Sequence, residues 1–247
     1  VGLGKGNFDK EWLRDNTNDN ISEKNSWYGE NTFYYWLWKN DLKKKFDAEW
    51  TGFCHYRRFW TKDSNKKEYK NFKQSILQDP APEWKNHDVI LRDEVWVNGT
   101  KLSKILKHGK RQLLNNPFVF LSKNKMTLKV NYNMYHGYGE LDKAIELLDN
   151  ENREDFRNFV NSELSFNANN ILICRSPQLY SDYCDSLFKW LKRCESIFGF
   201  DPNRKYNLIR VYAFLSERYL SYWFKKNSNY LTWPLKFHDI TNDSINF

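Results

Sequence analysis

The chain has 247 residues and a mass of 30.0 kDa, enough for one large domain. Its 40% hydrophobic and 18% aromatic residues can build a sizeable core despite a mean hydropathy of -0.85, which sets disorder aside. A net charge of +8 and a pI near 9.1 favour anionic partners, yet scattered lysines without zinc-finger spacing or an RNP-type motif exclude a dedicated nucleic-acid binder.

The chain opens at Val1-Gly2-Leu3-Gly4 without an initiator Met and reads as a processed or excised piece that upstream sequence would precede. Gly4-x-Gly6 is too short for a dinucleotide fingerprint, and Asp15 to Asn20 is a loop of turn formers. Asn20 or Ser22 is expected to cap a helix running to about Asp41, apolar nearly all round from Trp27 to Trp38. The start of that helix, with Ser22, Lys24 and Asn25, is a candidate anion seat. Lys43-Lys44-Lys45 and Lys66-Lys67 read as solvated surface.

Glu49 to Phe53 reads as a short buried strand that ends in Cys54-His55-Tyr56-Arg57-Arg58-Phe59. Charges at the carboxyl end of a strand suit a ligand crevice, and two guanidiniums beside an imidazole suit phosphate. An equal reading makes Arg57 and Arg58 partners of carboxylates elsewhere in the fold. A helix is expected over Glu68–Leu77, then a break at Pro80-Ala81-Pro82 and a strand over His87–Leu91. From Lys101 to Leu114 a basic amphipathic helix could rest on a membrane surface, with ordinary packing ranked first.

Phe118–Leu121 and Met126–Val130 are strand candidates, followed by Tyr135-His136 and helices over Glu140–Leu148 and Arg153–Leu164. Asn167-Ala168-Asn169-Asn170 leads into a buried strand, Ile171–Cys174. Pro177 opens a helix over Gln178–Phe198. Another helix spans Asn207–Lys226, and Tyr230–Phe237 closes the chain as a strand. On that last helix Arg210, Phe214, Glu217 and Ser221 share one face. Glu217 within so apolar a helix must be paired or functional, and a pair with Arg210 or with an arginine from another element ranks ahead of catalysis.

Several chemistries are excluded. There is no P-loop, HExxH, GxSxG or DFG-like set. Cys54, Cys174, Cys184 and Cys194 lack CxxC spacing, so no zinc or redox motif is indicated, and reduced thiols suit a cytoplasm. No apolar run is long enough to span a membrane and no signal peptide is visible. No Asp-x-Asp follows the first strong strand, and Asp15, Asp19, Asp239 and Asp243 do not replace it. What remains is a set of phosphate-compatible groups: Ser22, Lys24, Asn25, His55, Arg57, Arg58 and His136. Such a set can hold a diphosphate without a metal, because cations neutralise the leaving group directly.

Three clusters carry a resemblance. They are Asp15-Asn16-x-x-Asp19-Asn20-Ile21-Ser22-x-Lys24-Asn25-x-x-Tyr28 with Tyr35-Trp36-x-Trp38-Lys39-Asn40, then Gly52-x-Cys54-His55-Tyr56-Arg57-Arg58-Phe59, then Arg210-Val211-x-x-Phe214-Leu215-Ser216-Glu217-Arg218. In these the chain resembles a bacterial domain-of-unknown-function family of capsular and exopolysaccharide glycosyltransferases. The resemblance implies one α/β domain over residues 1–247, with a GT-A-like mixed sheet flanked by helices and a helix-rich C-terminal half. It implies transfer of a sugar from a nucleotide-linked donor, expected to carry UDP, to a lipid-linked or oligosaccharide acceptor of a cell-surface glycan. The place would be the cytoplasm, in peripheral contact with the inner membrane face.

The matching positions for donor phosphate are Asp19, Asn20, Ser22, Lys24, Asn25, Tyr28, His55, Arg57 and Arg58, with Glu217 as general base and His136 as its alternative. His55-Tyr56-Arg57 stands where many relatives carry Asp-x-Asp, so a divalent metal is not firmly indicated. Two departures stand out. The apolar strand that usually precedes the Asp-Asn loop is missing, and Asn18 replaces a usual Gly, which its tolerance of left-handed backbone allows. A non-catalytic glycan- or nucleotide-binding module, with tryptophans as stacking platforms, is the other reading.

Overall fold

Alternating side chains along two short strands divide the molecule into two layers. The computed structural model describes residues 1–42, 50–65 and 71–239. At its centre lie β3 (Val89–Arg92) and β6 (Leu172–Cys174), paired antiparallel with Val89 opposite Cys174 and Ile90 opposite Ile173. β1 (Thr51–Gly52) adds antiparallel to β6, and β7 (Tyr230–Trp233) adds parallel to β3. The order β1-β6-β3-β7 is a mixed sheet. Val89, Leu91, Leu172 and Cys174 face the main helical core, while Ile90 and Ile173 face a smaller core with Trp60, Trp84 and Trp233. A register slip of one residue would exchange the two sets, and each buried Ile or Leu is worth about 1.5–3 kcal/mol. The register is therefore strongly specified.

Helices build the main layer. α1 (Asn25–Tyr28), α2 (Asn31–Asn40), α9 (Pro177–Phe198) and α11 (Val211–Asn227) supply most of its buried aromatics. Tyr180, Tyr183, Cys184, Leu187, Leu191 and Cys194 recur at helical spacing along α9 and are buried. Pro177 occupies its first turn, and the Ser176 hydroxyl accepts the N–H of Leu179. The α/β architecture with helices against a mixed sheet matches the sequence expectation.

Several element boundaries differ from that expectation. The helix foreseen from Asn20 to Asp41 comes in three pieces: a 3-10 turn over Ser22–Lys24, then α1, then α2 after a break at Gly29 with φ 57°. Phe118–Leu121 and Met126–Val130 are not strands. The first lies in a 3-10 helix over Pro117–Leu121, and the second largely in α6 (Leu128–Tyr135). Short apolar runs fit strand and helix equally, and Val130 and Met134 on one face of α6 pack with Met126, Ile105 and Val119. The closing segment splits at Pro234 into β7 and β8 (Leu235–Phe237), and β8 pairs with β2 (Arg58–Trp60). Glu49, the first two lysine clusters, residues 68–70 and Asp243 lie outside the described residues.

Candidate functional site

The cation-rich stretch is a tight turn. His55 and Arg58 bridge each other through two backbone hydrogen bonds of 3.2 and 3.0 Å, which leaves Tyr56 and Arg57 at the tip. Behind it Gly52 lies so close to Ile173 that a Cβ there would fall 2.5 Å from Cγ1. β2 then carries the chain away to pair with β8, so the turn is held at both ends by sheet.

That turn forms one wall of a cavity of about 1430 Å³. His55, Arg57 and Arg58 line it together with Asn25, Glu30 and Glu217. Among the described residues neither Arg57 nor Arg58 forms a salt bridge. Arg57 instead lies over the Tyr56 ring at 4.7 Å. His55 Nε2 is buried without a hydrogen-bond partner among the described residues. Burial pushes the imidazole below its usual range. Arg58 and Arg210 reinforce that shift and Glu30 opposes it, leaving the ring neutral at pH 7.

The facing wall holds two carboxylates, both fixed by a strained turn. Asn169 and Asn170 have φ of 73° and 50°, a left-handed pair just before β6. This conformation aims the Asn169 N–H at Glu217 Oε1 (2.9 Å) and the Asn170 Nδ2 at Glu30 Oε1 (2.7 Å). The Tyr34 hydroxyl donates to the Asn170 carbonyl, and Ser216 Oγ donates to Asn170 Oδ1 at 2.9 Å. Glu30 Oε2 accepts from Arg210 at 3.0 Å, and Glu217 Oε2 accepts from Arg218 at 3.0 Å. Glu217 thus pairs with its own neighbour rather than with Arg210, which corrects the first-ranked partner expected from sequence.

Arg218 is buried between the Phe166 ring at 4.4 Å and Asn131 Oδ1 at 3.1 Å. Burial pushes the Glu217 carboxyl above its usual range, and the Glu30 charge adds to this. Arg218, the Asn169 N–H and Arg210 only partly offset the rise. Gly29 makes the Glu30–Arg210 pair fit: a Cβ there would lie 2.1 Å from Arg210 Nη2.

The remaining sequence candidates do not line the cavity. Asp19 accepts the Tyr35 hydroxyl at 3.1 Å, and Asn20 Oδ1 accepts the Ser22 N–H at 3.2 Å. Ser22 Oγ donates to buried Asp15 at 2.7 Å. Lys24 Nζ and the Tyr28 hydroxyl both donate to Glu195 Oε1, at 2.7 and 2.8 Å. His136 is stacked on Phe214 at 3.8 Å with Nδ1 3.3 Å from the Asn207 carbonyl. Burial, then Arg218, holds its ring well below the usual range. Asn18 has φ 52°, the left-handed backbone that its place in the loop requires.

Sequence reasoning passed over Glu30, Asn169 and Asn170. The signals were present: a charge interrupting an aromatic helix, and an Asn pair, the residue type most tolerant of positive φ after Gly. Trp12, Tyr56 and Tyr206 are exposed aromatics on the cavity. Among the described residues no three His, Cys, Asp or Glu side chains converge as a metal site. No described helix is long and apolar enough to cross a membrane.

The fold is similar to that of the apo structure of the WbbM bifunctional glycosyltransferase, with a TM-score of 0.63 at 19% identity. The match covers 91% of this chain and 39% of that one, so the chain spans well under half of its structural neighbour. No curated protein matches the sequence. The model of the family described as a domain of unknown function, DUF4422, fits residues 1–228, and the chain belongs to that family.

Proposed function

We propose that this chain is a GT-A-like glycosyltransferase that moves a hexose from a nucleotide-sugar donor, carrying UDP, onto a growing cell-surface glycan. Capsular polysaccharide, exopolysaccharide and O-antigen are the acceptor classes, lipid-linked and met at the cytoplasmic face of the membrane. One observation carries the reading: Arg57 and Arg58, without a salt bridge among the described residues, line the same cavity as Glu217, a carboxylate with a raised pKa. The likeness of the fold to a glycosyltransferase structure supports it.

In this reading the two guanidiniums neutralise the charge that builds on the departing diphosphate, and the neutral His55 imidazole donates or accepts a hydrogen bond there. Glu217 takes the proton of the acceptor hydroxyl as the new bond to the anomeric carbon forms. The bond from that carbon to the phosphate oxygen breaks, and its electron pair leaves on the diphosphate. Inversion follows from this direct displacement. Asn25 borders the same space, whereas Asp19, Asn20, Ser22, Lys24 and Tyr28 do not line it and are hydrogen-bonded to other groups. His136 supports the wall through Phe214, which leaves Glu217 as the base.

A binding module without chemistry is the second reading, favoured by exposed Trp12, Tyr56 and Tyr206 on the cavity as stacking platforms for sugar or base. A panel of nucleotide sugars separates the two. Slow release of nucleotide from one donor, accelerated by an oligosaccharide acceptor, is the expected result. Saturable donor binding with no release across the panel would overturn the transferase in favour of the module.

A further inference from the structure

The charge of this protein is concentrated in one place. Residues 95–139 contain eight Lys or Arg and neither Asp nor Glu, while the rest of the chain balances at 31 basic against 31 acidic residues. One stretch of 45 residues therefore carries the whole net charge of +8. It folds as α4 (Leu102–His108), α5 (Lys110–Asn115), the 3-10 turns Pro117–Leu121 and Lys123–Lys125, and α6. Among the described residues, only Lys129 of the eight is ion-paired, to Asp142 at 2.8 Å. Lys104, Lys107, Lys110, Arg111, Lys123 and Lys125 are exposed.

The apolar side chains of this stretch fall into two sets. Ile105, Val119, Met126, Val130 and Met134 pack inward as a small core of their own. Leu106, Leu114, Phe118 and Leu121 point outward, at 52%, 84%, 67% and 79% exposure. None of these four belongs to that local core. Large apolar groups interleaved with unpaired cations, and no carboxylate among them, match a surface that is anionic at the head groups and apolar beneath. Nucleic acid would answer the charge but leave Leu114 and Leu121 in water.

We infer that residues 104–125 are a membrane-docking surface that seats the protein on an anionic phospholipid bilayer, with Leu106, Leu114, Phe118 and Leu121 entering the interface. The docked segment is tied to the cavity. Asn207 Nδ2 donates to the Tyr135 carbonyl at 2.6 Å at the end of α6, and Tyr206 beside it lines the cavity. Docking is read without any donor present, so it stands or falls apart from the transferase reading.

The test is co-sedimentation of the full chain with vesicles of phosphatidylcholine alone or with about 30% phosphatidylglycerol, at ~0.1 M and ~0.5 M salt. Binding to the anionic vesicles, weakened at high salt, is expected. The charge variant K107E/K110E/R111E should partition at least about tenfold less well. The apolar variant L114S/F118S/L121S should also lose about tenfold at unchanged net charge. All substituted side chains are exposed, so circular dichroism and melting temperature should stay at wild-type values. No partition onto anionic vesicles would overturn the inference. So would an apolar variant that binds as well as wild type, or tight binding of a short RNA by a protein that ignores vesicles.

Discussion

Two regions of this protein offer cations at the start of an element, and the fold treats them oppositely. Around α1, Lys24 is spent on Glu195, Ser22 on Asp15, and Tyr28 again on Glu195. At the turn 55–58, Arg57 and Arg58 have no carboxylate partner among the described residues and face a cavity. The two stretches look alike as strings of phosphate-compatible residues. What separates them is a glutamate on α9, 171 residues along the chain from Lys24. Availability to a ligand is set by what the rest of the fold has already neutralised.

Four variants sharpen or break this contrast. The largest effect is expected for Glu217→Gln, which should lower donor-dependent turnover by about 10²–10⁴-fold while sparing donor affinity measured by calorimetry. In the wild type, kcat/KM should rise with pH through an acid limb above the usual carboxylate range, since the base must be ionised and its pKa is raised. The variant should lack that limb. Arg57→Ala should cost about 10²–10³-fold in turnover, with stability changed by no more than about 0.5 kcal/mol in a thermal melt. Full activity in that protein would end the contrast.

Gly29→Ala comes next. It strains a positive φ and drives a methyl into Arg210, so a loss of about 1–3 kcal/mol and a melting point lower by several degrees are expected. The smallest effect belongs to Lys24→Met, about 1 kcal/mol with turnover intact. Burial raises the Glu195 carboxyl, but hydrogen bonds from Lys192, Lys24 and Tyr28 bring it below its usual value. A carboxylate depressed in the folded state adds stability above its unfolded pKa and loses it as pH falls through the folded one. The gap between wild type and Lys24→Met should therefore be full near pH 7 and close below about pH 4 in denaturant titrations.

Much of the frame was legible in the sequence. The buried strands Val89–Arg92 and Leu172–Cys174 and the long helix after Pro177 follow from apolar runs, helical spacing and a proline at the first turn. Phe118–Leu121 was misread because four apolar residues carry no period that separates strand from helix. Of the site, the sequence marks His55, Arg57, Arg58 and Glu217 as unusual in context, and all four line the cavity. It could not place Lys24 on Glu195 or join Glu30 to Asn170, because those contacts span 171 and 140 residues. The Arg218 partner of Glu217 was also hidden. Adjacent helical residues do not ordinarily face each other, and the Phe166 and Tyr132 rings, Asn131 and the Phe214 carbonyl turn this arginine back.

The close approach at Gly29 has an evolutionary reading. With Arg210 in place a side chain at position 29 would push its guanidinium off Glu30, so changing the glycine first costs both that pair and the backbone strain. A lineage that has already given up the arginine meets only the backbone strain of φ 57° when alanine enters there. Loss of Arg210 should thus ease replacement of Gly29, which couples the two positions.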